Sequence, residues 1–218
     1  MDEPLAVVFD LDGVLIESEQ VWDEAREQLV RERGGTWDER ATTDMMGMSS
    51  TEWSNYMHDR LGVPMTPAEI NDDVIRRVAA KYEEHLPLLP QAVETVRELG
   101  ERWRLGVASS SNRPIIDLVL DRMGVRDCFA VVVSSEEVAN GKPAPDVYLA
   151  VARELGVDPK DCVAVEDSTN GIKSAVAAGM RTIAVPNRQF RPDDEVLTMA
   201  SVVVSSLAEV TVDLVASL

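Results

Sequence analysis

Five short apolar runs constrain this chain more than any other feature: Leu5–Phe9, Leu105–Ala108, Phe129–Val133, Cys162–Val165 and Thr182–Val185. Each is rich in valine and alanine and bounded by turn residues. An apolar run of this length without polar alternation reads as a strand buried on both faces, as in a parallel sheet. Helical patterns separate the last four runs. Pro114 to Met123 carries Ile115, Leu118, Val119 and Met123 and is stopped by Gly124. Asp146 to Leu155 carries Val147, Val151 and Leu155 and is stopped by Gly156, and Ile172 to Ala178 precedes Gly179. This alternation predicts an α/β fold, a doubly wound parallel sheet, with Val202–Val204 as a further edge strand.

The interval between the first two runs breaks the alternation. About 90 residues intervene, and their patterns are helical. Val21, Ala25 and Leu29 recur every four residues before Gly34-Gly35. Thr66-Pro67-Ala68-Glu69 is a capping box with proline at the first helical position, and Ile70, Val74, Val78 and Tyr82 follow at four-residue spacing. A last helix near Ala92–Leu99 leads back to the strands. The expectation is a helical cap domain over residues 16–85, inserted into an α/β core of residues 1–15 and 86–218. A chain of 218 residues suffices for one such core and one small insert.

Charge narrows the ligand class. With 39 acidic against 21 basic residues the net charge is -18, which argues against nucleic acid as a partner. A small phosphate ester stays compatible, because a few cations and a metal reverse the field inside one pocket. No apolar run approaches the roughly 18 residues of a membrane span. Met1-Asp2-Glu3-Pro4 is acidic where a secretory signal begins basic. Cys128 and Cys162 lie far apart without a CxxC pair and read as reduced core thiols. These features predict a cytoplasmic protein.

Ligand sites in open α/β sheets lie at the carboxyl ends of the strands. Asp10-Leu11-Asp12-Gly13 follows the first run and Ser109-Ser110-Ser111-Asn112 the second. Lys142-Pro143 follows the third across a loop, and Glu166-Asp167-Ser168 the fourth. Four acids, a group of hydroxyls and one lysine are thereby brought to one edge. Such carboxylates raise one another's pKa unless a cation separates them. Magnesium takes oxygen ligands, and the lack of histidine or cysteine in the set disfavours zinc. Hydroxyls, backbone N–H groups and lysine are the usual cradle of a phosphoryl group, so the set fits phosphoryl transfer best.

Phe9-Asp10-Leu11-Asp12-Gly13-Val14-Leu15 resembles the first motif of the haloacid dehalogenase-like superfamily. Ser109, Lys142 within Gly141-Lys142-Pro143-Ala144-Pro145-Asp146, and Glu166-Asp167-Ser168-Thr169-Asn170-Gly171 resemble its second, third and fourth motifs, in the same order. The helical insert resembles the cap of the branch with β-phosphoglucomutase and sugar-phosphate phosphatases. Leu15-Ile16-Glu17-Ser18-Glu19-Gln20-Val21-Trp22 is most similar to hexitol phosphate and 2-deoxyglucose-6-phosphate phosphatases. The resemblance implies a Rossmann-like core and a magnesium-dependent phosphatase acting through an aspartyl phosphate on Asp10. It makes Asp12 the general acid and base, with its backbone carbonyl on the metal. It puts Asp10, Asp167 and, directly or through water, Glu166 on magnesium. Ser109 and backbone N–H groups near Gly13 and Ser110 hold the phosphoryl oxygens, and Lys142 neutralises charge. Asn112 is a further phosphate-side candidate, or only the cap of the helix that follows.

Plainer readings exist for several residues. Asp10 and Asp12 could form an ordinary turn, Lys142 could be a surface lysine, and Glu166-Asp167 could serve a helix dipole. Trp22 and Trp53 more often pack helices than touch ligand. His58 and His85 read as surface residues. Met45-Met46-Gly47-Met48-Ser49 either resembles a substrate-facing cap loop or pads a helix junction. Asp72-Asp73 and Asp193-Asp194-Glu195 read as solvated faces. The expected partner is a small phosphorylated sugar or polyol, and the expected assembly a monomer or homodimer. The alternatives are a sugar phosphomutase, a catalytically silent binding protein and a metal-free dehalogenase. In the mutase a histidine follows the first motif and an arginine sits in the cap loop. Here Trp22 and Ser50 stand near those places, no histidine precedes His58, and Thr43–Trp53 holds no arginine or lysine.

Overall fold

The computed structural model describes residues 4–45, 48–187 and 191–218. Its sheet consists of β1 (Ala6–Phe9), β2 (Arg104–Ser109), β3 (Phe129–Ser134), β4 (Cys162–Glu166), β5 (Arg181–Ala184) and β6 (Val202–Val203). All pairings are parallel, in the order β3-β2-β1-β4-β5-β6. Each strand lies within one or two residues of the corresponding apolar run, because only such runs tolerate burial on both faces. Every residue of β1 is buried.

Side-chain alternation divides the sheet's two faces. Val7, Phe9, Leu105, Val107, Val163 and Val165 point to one core, which also holds Val96 and Leu99 of α5 (Ala92–Gly100) and Ile115 and Val119 of α6 (Arg113–Met123). Ala6, Val8, Ala108, Cys162 and Ala164 point to the other, with Val147 and Val151 of α7 (Asp146–Leu155) and Ala175 of α8 (Thr169–Ala177). Small residues on this second face let the helices approach closely. A Cβ on Gly106 of β2 would come within 2.5 Å of Val151. The short helices α9 (Asp194–Leu197) and α10 (Val212–Ser217) follow β5.

Between β1 and α5 the described chain is helical: α1 (Glu19–Glu32), α2 (Ala41–Met45), α3 (Ser50–Asp59) and α4 (Pro67–Glu84). Reciprocal capping boxes start α3 (Ser49 with Glu52) and α4 (Thr66 with Glu69, then Pro67). The chain leaves the sheet and returns to it side by side. Glu17 N–H donates to Pro87 O at 2.8 Å and Leu89 N–H to Leu15 O at 3.0 Å.

Three local expectations are corrected. The buried stripe of α1 is Trp22, Ala25, Arg26, Leu29 and Val30, so Val21 lies at its margin. Asp73 is buried instead of solvated. Arg77 bonds it at 2.5 Å, Arg76 pairs with it at 2.8 Å and Arg33 at 3.5 Å, and these side chains close over it. Cys162 is buried but Cys128 only half-buried, and both thiols are free. His58 and His85 are exposed, as is the Asp193-Asp194-Glu195 run. Among the described residues no helix is long and apolar enough to cross a membrane.

Candidate active site

The strand order reverses direction at β1, which lies between β2 and β4, and the crevice beyond its carboxyl end is where such sheets bind ligands. Asp10 N–H donates to Val165 O at 3.0 Å, which holds Asp10 beside Glu166. Asp10 Oδ1 accepts the Leu11 N–H at 2.7 Å and lies 3.0 Å from Lys142 Nζ. Lys142 Nζ also donates to Glu166 Oε1 at 2.6 Å, and Tyr148 OH donates to the same oxygen at 2.8 Å. Glu166 Oε2 accepts the N–H groups of Asp167 (3.0 Å) and Ser168 (3.3 Å) and the Ser168 hydroxyl (3.3 Å). The Glu166 carboxylate is thus occupied in orienting Lys142. It fits because Gly171 has no side chain: a Cβ there would overlap it.

Asp10, Glu166 and Asp167 each offer an oxygen, and these atoms lie within 4.8 Å of one another. Burial pushes the Asp10 carboxyl well above its usual range; Lys142 opposes this, and Glu166 and Asp12 add to it. Burial, then Glu166 and Asp10, do the same to Asp167. Burial would lower the Lys142 pKa, but Asp10 and Glu166 outweigh it and the ammonium is held charged. Three acids against one lysine leave negative charge unbalanced, and Asp167 Oδ1 is buried without a hydrogen-bond partner. An all-oxygen donor set with an orphaned carboxylate oxygen fits a hard divalent cation. Gly13 permits this packing. Its φ is +77°, and a Cβ on it would overlap the Asp167 carboxylate. The Gly13 N–H itself donates to Ile16 O at 2.8 Å.

The serines after β2 divide their tasks. Ser111 Oγ donates to Asp12 Oδ2 at 2.6 Å. Ser109, fully buried, sits 3.4 Å from the same oxygen and accepts the Ser111 N–H at 3.0 Å. Ser109 therefore braces Asp12, while Ser110 lines the crevice. Asp12 Oδ1 is left without a hydrogen-bond partner. Asn112 precedes α6 but makes no side-chain cap. Its amide donates to Glu136 at 2.5 Å and to Asn71 at 3.4 Å, and Ser50 Oγ also donates to Glu136.

Two compartments meet here, and both are lined by Asp12, Glu19 and Ser110. One holds Asp10, Lys142, Asp167, Ser168, Thr169 and Asn170. The other holds Trp22, Arg26, Met45, Met48, Trp53 and Asn112. Trp22 and Trp53 meet edge-on at 6.2 Å, so they pack helices and line the second compartment at once. Met46 and Gly47 lie outside the described residues. Glu19 and Arg26 are the functional candidates that sequence reasoning missed. Burial, then the neighbouring Asp12, raises the Glu19 carboxyl to about 7. The available signal for Arg26 was a charged residue one turn after Trp22 on the inner stripe of α1.

A family model for haloacid dehalogenase-like hydrolases matches residues 4–179. Hexitol phosphatase B of Escherichia coli K12 is 38% identical over 213 residues, which cover 95% of this chain and 94% of that protein. A phosphorylated carbohydrates phosphatase of Thermotoga maritima is 30% identical over 82% of this chain and 83% of its own length. Among solved structures, CbbY from Rhodobacter sphaeroides in complex with phosphate superposes with a TM-score of 0.89 at 27% identity, covering 99% of this chain and 100% of that one.

Proposed function

The chain belongs to the haloacid dehalogenase-like hydrolases and is a phosphatase, and from that premise we propose that it hydrolyses small sugar or polyol phosphates through an aspartyl phosphate on Asp10, with magnesium as its metal. The observation that carries the proposal is the position of Asp12. It lines both compartments, so its unpartnered Oδ1 belongs between the Asp10–Lys142 pair and a leaving group in the second compartment.

Asp10 Oδ1 is engaged by Leu11 N–H and Lys142, which leaves the other oxygen as the nucleophile. In the first step this oxygen bonds phosphorus, the bond to the leaving oxygen breaks, and Asp12 gives that oxygen its proton. In the second step Asp12 takes a proton from water, the water oxygen bonds phosphorus, and the Asp10–phosphorus linkage breaks to release inorganic phosphate. Ser109 and Ser111 hold Asp12 in place for both transfers. Lys142, positioned by Glu166 and Tyr148, offsets charge on the phosphoryl oxygens. Asp10, the Asp12 carbonyl, Asp167 and, through water, Glu166 would hold magnesium, whose charge screens nucleophile from phosphate. Residues 16–85 act as the cap, covering the leaving group and excluding water and large ligands.

The test uses a hexitol phosphate and inorganic phosphate release. Magnesium-loaded protein is expected to turn over, EDTA-treated protein to stop, and Asp10→Asn to be inactive while still folded. Beryllofluoride is expected to add mass at Asp10. Full activity in chelated protein, or labelling of another carboxylate, overturns the proposal.

A further inference from the structure

Arg26 is an expensive residue to keep where it lies. It is 6% exposed on the inner stripe of α1, with its guanidinium carbon 5.3 Å from the Trp22 ring centre and 5.1 Å from that of Trp53. Its one ion pair among the described residues is with Asp23, at a loose 3.8 Å. Its Nε is buried and has no hydrogen-bond partner. Taking a guanidinium out of water without satisfying its donors costs several kcal/mol. Packing alone does not require that cost, since leucine or methionine would fill the same stripe. The guanidinium lines the compartment that Asp12 shares with the reaction centre. Its donors are therefore available to the part of the substrate that leaves.

The surroundings say what kind of group that is. Asp23 pairs with Arg26, and Glu19 and Asp12 also act electrostatically on it, so the guanidinium's charge is already matched within the compartment. A second phosphate or a carboxylate would find no unmatched cation there among the described residues. An uncharged polyhydroxy group needs none, and its hydroxyls both donate and accept. Arg26 donates, the Asn112 side-chain oxygen accepts, and Glu19 and Ser18 do either. Trp22 and Trp53, which line the same compartment, supply apolar surface for the C–H groups of such a ligand.

Resting on the phosphatase reading above, we propose that Arg26 is the residue that selects the leaving group. With Glu19 it hydrogen-bonds hydroxyl oxygens of an uncharged polyol or sugar bearing a single phosphate, and the pair rejects leaving groups with a second anion.

The experiment compares kcat/KM for hexitol 6-phosphate, ethyl phosphate and hexitol 1,6-bisphosphate in wild-type protein and in Arg26→Leu. Wild type is expected to prefer the hexitol monophosphate over both others. Arg26→Leu is expected to lower the ratio of hexitol phosphate to ethyl phosphate about 10- to 150-fold, the range for a hydrogen bond to a charged group. Arg26→Lys keeps the charge without the planar fork and is expected to restore part of the ratio. If Arg26→Leu does not fold, Arg26→Lys against wild type carries the comparison, with a fall of about threefold or more expected. An unchanged ratio, an equal loss on hexitol and ethyl phosphate, or a wild-type preference for the bisphosphate overturns the assignment while leaving a phosphatase in place. Wild-type protein inactive on all three esters overturns the phosphatase reading as well.

Discussion

Replacing Lys142 with methionine tests the charge balance at the carboxyl edge. The substitution keeps most of the volume and removes the one cation that, among the described residues, pairs with Asp10 and Glu166, at 3.0 and 2.6 Å. At an effective dielectric of about 20 those two attractions amount to about 5.5 and 6.4 kcal/mol before desolvation. The burial penalty of the ions offsets much of this. Removing one partner of a buried pair nevertheless costs about 3–5 kcal/mol, because the remaining charge stays buried and unpaired. Lys142 is 3% exposed in its side chain and Glu166 0%, so solvent screening gives little relief. For a chain of this length about 3–5 kcal/mol lowers Tm by roughly 6–20 °C. Loss of a positioned charge at the phosphoryl group is expected to cost about 10²–10³ in kcat. Differential scanning calorimetry and steady-state kinetics read the two effects. Magnesium should recover part of the Tm, since it supplies charge, but not the kcat, since it cannot occupy the position of Nζ. A Tm within about 2 °C of wild type together with a kcat within tenfold would refute the reasoning.

Gly171→Ala should destabilise the protein by about 1–2 kcal/mol, although alanine is favoured over glycine in a helix by about 1 kcal/mol, because its Cβ would overlap the Glu166 carboxylate. Urea unfolding measures the sign, and stabilisation would contradict the packing described for Glu166. Glu19 supplies the pH dependence. Its folded pKa of about 7 lies above the ordinary 4.5, owing to burial and then Asp12, with Arg26 opposing and Asp23 and Glu17 adding. Native protein thus holds this proton more tightly than unfolded chain. The stabilisation is complete below about pH 4.5 and is lost as pH rises through about 7, at most about 3 kcal/mol. Unfolding free energies in EDTA at pH 5 and pH 8 should differ less in Glu19→Gln than in wild type; parallel profiles count against it.

The sheet was legible because its strands are buried on both faces and so appear as unbroken Val/Ala runs. The carboxyl-edge candidates followed from which residues come directly after each apolar run, and Asp10, Lys142, Glu166 and Asp167 do converge there. What periodicity could not resolve is the orientation of a helix stripe. Val21, Ala25 and Leu29, in steps of four, fit a helix as well as Trp22, Ala25 and Leu29, in steps of three and four, and only packing chose the second, which carries Arg26 inward. Asp73 was misread for a related reason. A doublet of acids in a helix signals solvent unless the arginines that close over it are known, and Arg33 comes from a different helix end. Ser109 and Asn112 were identified by position, but their partners, Asp12 and Glu136, are set by tertiary geometry.

The side-by-side segments joined by the Glu17–Pro87 and Leu89–Leu15 hydrogen bonds divide the chain's residues into two sets. Everything that balances charge around Lys142 is anchored to the sheet or its adjoining helices, whereas Trp22, Arg26, Met45, Met48 and Trp53 all arrive through the excursion between those segments. On the phosphatase reading proposed above, a substitution at any of the five would alter what can leave while sparing the groups around Lys142. Change confined to the excursion would then shift the substrate while the charge balance at the sheet edge stayed in place. A change at Glu166 or Tyr148 would have no such freedom, because it acts on the lysine that the proposed reaction uses for any phosphate ester.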